Sequence, residues 1–347
     1  MGIGDVISKL LKKEKKTDKI ASQAGTKSEN ISTKSEKKGN LDEDLMVEII
    51  IPTLNEESSI GKLLREIKSQ KIPVKISILV IDGGSTDKTI DICKKENVKW
   101  IQQKSKGKGN AMREAVEFSN ANVIVFIDGD GTYSISDLET MLEPLLNNKA
   151  DMVVGTRIKE KREKGSISVL NSIGNRLFNR AINFALKSNV TDSLSGYRAL
   201  TKQMFNDLIL FSHSFEIEVE MTVEAIAKGY RVIEVPISYK KRTGTVTKLN
   251  PTGDGIKIGQ TLLFILMNVN PLKFFGIICL GFIIVGLYPG ILVLYEKIVL
   301  GDVVSIPSVT LAALLFVAGG ISLVVGLLSE LVVRSRRRIE YMIRKKY

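Results

Sequence analysis

The sequence predicts an α/β domain with a mainly parallel sheet, followed by two transmembrane helices, and three observations carry that expectation. Between about Leu45 and Asn250, six short runs rich in Val and Ile alternate with amphipathic segments, and strands alternating with helices at that spacing build parallel sheets. Two apolar runs, Phe274 to Tyr295 and Ile306 to Leu328, each reach the ~20 residues of helix that cross a bilayer. Only two cysteines occur, Cys93 and Cys279, far apart, which argues against a disulfide framework or a thiolate zinc site and predicts free thiols in a reducing compartment. With 347 residues, 44% of them hydrophobic, the chain is long enough to bury a large core.

Residues 1–44 contain KKEKKTDK and TKSEKKGN and no aromatic side chain; such a segment cannot offset the entropy of ordering and is predicted to be a disordered basic tail. Its opening, MGIGDVISKLLKK, sets Val6, Ile7, Leu10 and Leu11 on one helical face beside lysines, a pattern that also suits a membrane surface. Residues 45–250 form the α/β domain. Its predicted strands are VEIIIPT, SILVIDG, VKWIQQ, NVIVFIDG, DMVVGTR and RVIEVPISY, with helices such as IGKLLREIKSQ and GNAMREAVEFSN between them. In SDLETMLEPLL, Ser136 and Glu139 stand at capping-box spacing and mark a helix start.

Residues 251–271 carry Ile256, Leu263, Ile265 and Leu266 near lysines and are predicted to lie as an interfacial helix. Residues 272–333 form a two-helix transmembrane hairpin around the short segment EKIVLGDVVS, and residues 334–347, RSRRRIEYMIRKKY, form a basic tail. With Lys248, Lys257 and Lys273 before the first span, the positive-inside rule puts the catalytic domain and both termini on the cytoplasmic side of a cell membrane.

The formal charge of +12 calls for an acidic partner, whether nucleic acid, an anionic membrane or a phosphorylated substrate. Many basic residues sit in the tails and membrane flanks and no nucleic-acid module is visible, so nucleic acid is not the expected partner. The chemistry concentrates in VFIDGDGTYS, where Asp128 and Asp130 end an apolar run, at the carboxyl end of a strand where open α/β sheets place ligands. An extended strand end would point both carboxylates to one side. They would repel unless a cation sits between them, and a hard ion such as Mg²⁺ takes few protein oxygens beside water and substrate phosphates. A plain Asp-Gly turn and an acid/base pair for glycoside hydrolysis fit the same residues. The single histidine, His213, is expected in a packing or surface role, and the single tryptophan, Trp100, in the core rather than as a substrate platform.

IIIPTLNEESSIGKLL, VIDGGSTDKT, KGKGNAMREA and FIDGDGTYS follow one another in the order found in the family 2 glycosyltransferases of GT-A fold, which the chain resembles. VVGTR, DSLSGYRA, FEIEVEMTVEAIAKG, VIEVPISY and KKRTGTVTKL extend the resemblance, over about Val47 to Leu249, to the polyprenyl-phosphate glycosyltransferases. That group contains dolichyl-phosphate mannose synthase, and the likeness to archaeal members is strongest. The resemblance implies that Pro52, Asn55, Glu56 and Asp82 line a nucleotide-sugar pocket and that Asp128 and Asp130 hold Mg²⁺ or Mn²⁺ on its diphosphate. Lys106 and Lys108 add positive charge there.

Arg157, Arg198 and Arg242 match motif positions, and together with Arg176 and Lys248 they are cations that a fold can gather around a dolichyl or other polyprenyl phosphate. Asp128, Asp130, Arg157, Arg198 and Arg242 are accordingly the expected catalytic set, with Glu218 and Glu220 expected to orient arginines or sugar. The implied reaction is inverting, metal-dependent transfer of a monosaccharide to the lipid phosphate. Alternatives are transfer to another membrane lipid such as a diacylglycerol, and a membrane-anchored nucleotide-sugar sensor. Three departures stand out. Asp82-Gly83-Gly84-Ser85 replaces the frequent pair of acids before Gly-Ser, Thr132 replaces a common Gln, and Gly244 comes one position early in the last motif. No Gln-x-x-Arg-Trp signature of a processive synthase is present. The donor nucleotide, the sugar and the oligomeric state are left open.

Overall fold

The computed structural model describes residues 45–157, 169–241 and 270–346, with Gly259, Gln260, Leu263 and Met267. At 169–173, 337, 340–341 and 343–346 it describes the backbone alone. The predicted tail 1–44, Arg242, Lys248 and most of the predicted interfacial helix lie outside these residues. Of that helix, Leu263 and Met267 are helical and exposed one turn apart.

The sheet runs β3-β2-β1-β4-β6-β5-β7. Its strands are β1 (Met46–Thr53), β2 (Lys75–Asp82), β3 (Lys99–Gln102), β4 (Val123–Phe126), β5 (Met152–Thr156), β6 (Arg198–Thr201) and β7 (Val232–Pro236). Helices α1 (Ile60–Lys68), α2 (Thr89–Lys95), α3 (Lys108–Phe118), α4 (Leu138–Leu146), α5 (Val169–Leu186), α6 (Lys202–Asp207) and α7 (Ile217–Ala227) fill the connections. The apolar runs are continuous because both faces of the sheet are covered. Ile49 and Ile51 of β1 pack with Leu64 and Leu142 on one face, whereas Ile50, between them, packs with Met112 and Met221 on the other.

Six strands fall where the sequence places them, and the GT-A-like α/β fold is present. The seventh, β6, lies in DSLSGYRAL, which reads as a chemical motif rather than a strand, and it runs antiparallel between β4 and β5. The expected capping box does not form. A 3₁₀ turn, Ile135–Asp137, precedes α4. Ser136 Oγ meets Ser134 Oγ at 2.8 Å, and Asp137 accepts the backbone N–H of Ser238 at 2.7 Å. Asp137 is thus engaged by a neighbouring chain segment and makes no side-chain cap to its own helix. Cys93 and Cys279 are free, as expected.

Helices α8 (Pro271–Val299) and α9 (Ile306–Lys346) pair as a hairpin. Both are long and apolar enough to cross a membrane, and most of their apolar side chains face outward rather than into a core. Small residues sit at their contact, with Gly319 against Phe282 and Gly326 against Phe275, the pattern by which helices approach closely in lipid. At the turn Glu296 accepts the backbone N–H groups of Val304 and Ser305 at 3.0 and 2.9 Å. Helix α9 continues past its apolar stretch, so the expected basic tail is helical through Lys346. The hairpin is joined to the α/β domain at its first turn, where Lys273 Nζ donates to Phe184 O of α5 at 3.0 Å and Asn270 donates to Ala185 O.

Candidate active site

The sheet order reverses beside β1, whose neighbours are β2 and β4, and crevices at such switch points bind ligands. Three loops meet there. After β1, Asn55 adopts a positive φ of 52°, and its side chain accepts the backbone N–H of Thr86 at 2.8 Å while its own N–H donates to Ser85 Oγ at 2.8 Å. Glu56 N–H donates to Thr89 Oγ1 at 2.8 Å. Pro52 is half-buried in β1 beside Ile81. Pro52, Asn55 and Glu56 are therefore brought together at the mouth of β1 and β2.

Asp82 ends β2. It is only 2% exposed, and its carboxylate accepts from Gly84 N at 2.9 Å, Ser85 N at 2.8 Å and Ser85 Oγ at 2.5 Å. Asp82 thus folds the Gly83-Gly84-Ser85 turn that meets Asn55. Short-range capping of backbone N–H groups is the usual work of an Asp at such a place.

The acid loop also differs from the extended picture. Strand β4 stops at Phe126, and Gly129 to Gly131 form a turn. Asp130 Oδ1 accepts Thr132 N at 3.0 Å and Thr132 Oγ1 at 2.7 Å. Ser59 Oγ donates to Gly129 O at 2.7 Å and fixes the loop to the start of α1. Asp128 already has a cation, because Lys108 Nζ lies 2.5 Å from Asp128 Oδ1 and 2.7 Å from Glu218 Oε1. Repulsion between Asp128 and Asp130 is thus relieved in part from within the protein.

Burial works against the Lys108 ammonium, but Asp128 and Glu218 outweigh it and hold its pKa above the ordinary value. Burial pushes the Glu218 carboxyl up in spite of Lys108. Lys108 is placed by the N-terminus of α3, where Gly109 N donates to His213 O at 2.9 Å. A side chain at Gly109 would collide with Ser212 O. Glu220 braces the same segment by accepting Phe211 N and Ser212 N at 2.9 and 2.8 Å. His213 is exposed, and its ring Nδ1 lies 3.1 Å from Asn110 Oδ1.

Gly196 closes the site from the other side. An added Cβ there would lie 2.7 Å from Asp128 Oδ2, while Gly196 N donates to Tyr133 OH at 2.8 Å. Gly196→Ala is expected to push Asp128 away from Lys108 and to cost ~1–3 kcal/mol, as overpacking does. Thermal unfolding checks this, and an unchanged midpoint would contradict it.

The expected arginines separate into different roles. Arg157 at the end of β5 forms a bidentate pair with Asp192, Nε to Oδ2 and Nη2 to Oδ1, both at 2.7 Å. Burial would raise the Asp192 carboxyl, but the Arg157 guanidinium outweighs it and holds the pKa below the usual range. Arg198 is fully buried and donates to Ser195 O at 2.8 Å, Ser193 O at 2.7 Å and Thr222 Oγ1 at 2.8 Å. Burial pulls its pKa down to about 10. Arg198, expected at the lipid phosphate, here clamps the 193–196 loop from inside.

Arg176 is exposed on α5, on a face it shares with Leu177, Arg180 and Phe184. Lys106 is exposed at the N-terminal side of α3. The chain leading to Arg242 is tied to the acid loop, since Lys240 N donates to Thr132 O at 2.8 Å and Tyr239 pairs with Tyr133.

Sequence reasoning missed Asp192, Tyr133 and Tyr239. Asp192 stands in the quoted DSLSGYRA, but its pairing joins residues 35 apart, which no local spacing reveals. Among the described residues no cluster of three or more His, Cys, Asp or Glu side chains is arranged to hold a metal. A hard ion takes few protein oxygens beside water and substrate oxygens, and the carboxylates of this loop that could hold one are Asp130 and Asp128, the latter shared with Lys108.

Residues 48–209 match the family Glycosyl transferase family 2. The chain is 37% identical over 295 residues to Glycosyltransferase AglJ of Haloferax volcanii, covering 83% of this chain and 94% of that protein. It is 33% identical over 215 residues to the Dolichyl-phosphate hexose transferase of the same organism, covering 62% and 91%. It is 29% identical over 255 residues to the UDP-N-acetylglucosamine–dolichyl-phosphate N-acetylglucosaminyltransferase of Methanococcus voltae, covering 65% and 98%. Among solved structures, glucosyl-3-phosphoglycerate synthase from Mycobacterium tuberculosis, in complex with Mn²⁺, uridine diphosphate and glucosyl-3-phosphoglycerate, shares the fold. Its TM-score is 0.54 at 20% identity, over 64% of this chain and 80% of that one. The match across the α/β domain and the nearly full-length likeness to an archaeal relative establish that this chain belongs to glycosyl transferase family 2 and is a glycosyltransferase.

Proposed function

We propose that the chain transfers one monosaccharide from a nucleotide-sugar to dolichyl or another polyprenyl phosphate, with inversion and with the help of Mg²⁺ or Mn²⁺. One observation carries this reading: the Tyr239 ring lies 5.1 Å from that of Tyr133, beside the acid loop, and 5.5 Å from the Arg157 guanidinium. An anion on Arg157 and a diphosphate at the acid loop are therefore neighbours. The two relatives whose names include dolichyl phosphate agree with this acceptor class.

Pro52, Asn55 and Glu56 receive the nucleotide, Lys108 adds positive charge, and Asp130, with Asp128, would hold the ion. When bound, that ion neutralises charge building on the leaving nucleoside diphosphate. A phosphate monoester has its second pKa near ~6 and is largely a dianion at neutral pH, so the acceptor needs no general base. Its oxygen forms the new bond to the anomeric carbon as the bond to the diphosphate oxygen breaks. Arg157, with Arg176, Arg242 and Lys248 as further acceptor cations, orients this dianion against the donor.

The membrane arrangement follows the same logic. Helices α8 and α9 anchor the chain, with the α/β domain and both termini cytoplasmic and the hairpin turn outside. Domain boundaries fall near residues 45, 250, 272 and 333. Helix α5, bonded to the first turn of α8, turns its exposed Arg176, Leu177, Arg180 and Phe184 toward the lipid surface.

The test is transfer of label from UDP- and GDP-sugars to dolichyl phosphate by the purified full chain in detergent with Mg²⁺, Mn²⁺ or EDTA. A lipid-linked monosaccharide that disappears with EDTA is expected. Nucleotide binding without product would favour the sensor, and transfer to diacylglycerol alone would move the acceptor.

A further inference from the structure

Resting on that reading of the acceptor, we propose that Asp192 and Tyr239 are positioning residues that make Arg157 a one-edged donor to the lipid phosphate. A guanidinium has two edges able to bind an oxyanion in bidentate fashion, Nε with Nη2 and Nη1 with Nη2. Asp192 occupies the first at 2.7 Å on both atoms and also accepts the Arg157 backbone N–H at 3.0 Å. Among the described residues, Nη1 of Arg157 has no partner. The second edge is thereby the one presented.

Asp192 is itself held rigidly. It is 5% exposed, and Asn175 of α5 donates to its Oδ1 at 3.1 Å. Asn179, one turn on, donates to Asn175 Oδ1 at 3.0 Å and to Thr191 O at 2.6 Å. Glu234 of β7 accepts the backbone N–H groups of Thr191 and Asp192, at 2.9 and 3.0 Å. The carboxylate is therefore a fixed abutment rather than a mobile counter-ion that a phosphate would displace.

Tyr239 fixes the remaining freedom, rotation of the guanidinium plane. Its ring lies 5.5 Å from Arg157 Cζ and is seated against Tyr133, whose chain neighbour Thr132 is bonded to Asp130. The plane of Arg157 is thus referenced to the acid loop through two aromatic rings. Lysine at position 157 has neither two edges nor a plane, so the device requires arginine.

The test uses the full chain in detergent, with dolichyl phosphate and the accepted nucleotide-sugar varied separately. Tyr239→Leu is expected to raise KM for dolichyl phosphate roughly tenfold, with KM for the donor unchanged and with Tyr239→Phe close to wild type. In an Arg157→Lys background the same substitution is expected to add nothing. Asp192→Asn, which keeps the shape but weakens one edge contact, is expected to raise KM for the acceptor and not for the donor.

Equal movement of both KM values in Tyr239→Leu, a Phe variant as impaired as the Leu variant, or an acceptor KM that does not move would each overturn the positioning role. In all three cases the proposed acceptor would stand. Failure of the wild-type chain to use dolichyl phosphate at all would overturn both.

Discussion

Asp130→Asn is expected to lower sugar transfer ~10²–10³-fold, the usual scale for losing one electrostatic stabiliser of a transition state, while leaving the fold intact. The fold survives because Asp130 uses Oδ1 to accept Thr132 N and Thr132 Oγ1 at 3.0 and 2.7 Å, and an amide oxygen still accepts both, though more weakly than a carboxylate. What the amide lacks is the charge that a divalent ion requires. Residual transfer is therefore expected to lose its dependence on Mg²⁺ or Mn²⁺, read as rate against metal concentration. Unchanged activity with unchanged metal dependence would remove Asp130 from the role given to it.

Lys108→Met is the second large effect, and it acts on stability as well as on rate. Nζ lies within 2.7 Å of both Asp128 and Glu218, side chains that are 28% and 4% exposed. Removing the cation leaves two carboxylates facing each other at a largely dry site. Breaking a buried pair from one side costs ~3–5 kcal/mol, on the order of 6–20 °C in the unfolding midpoint of a domain this size.

The sign of the pH dependence follows from Glu218. Burial already raises its pKa in the folded protein, so the cost of ionising it is absent below its unfolded value and grows as pH rises through the folded one. The variant's deficit is therefore expected to shrink on acidification toward pH ~4. Lys108→Met combined with Asp128→Asn is expected to recover much of the midpoint but little of the transfer. A single variant as stable as wild type at neutral pH would show that the triad is not the electrostatic centre of the site.

These expectations rest on features that were unequally visible in the sequence. The strand ends that carry Pro52, Asn55 and Asp128 were legible, because Val- and Ile-rich runs followed by Gly and Asp announce buried parallel strands and their ligand-side loops. The two apolar helices were legible for the same reason, length against composition. Strand β6 was not, since its four residues are too few for a periodic signal and its neighbours come from distant parts of the chain. The charged residues of the motifs are visible in the sequence, but their partners in the fold are not. Asp82, Arg198 and Lys108 all lie in motifs, yet one folds a turn, one clamps a loop from inside and one occupies a cation position between two acids. Lys108 in particular meets its partners across 20 and 110 residues of chain, at Asp128 and Glu218.

The most direct test of the central claim compares dolichyl phosphate with dolichol, the same lipid without its phosphate, as acceptors for the purified full chain. With Arg157 orienting an acceptor already ionised and no base to activate an alcohol, a lipid-linked sugar is expected from the first and none from the second. Comparable transfer to the free alcohol would contradict it, and would require a general base that the present assignment of the site does not contain.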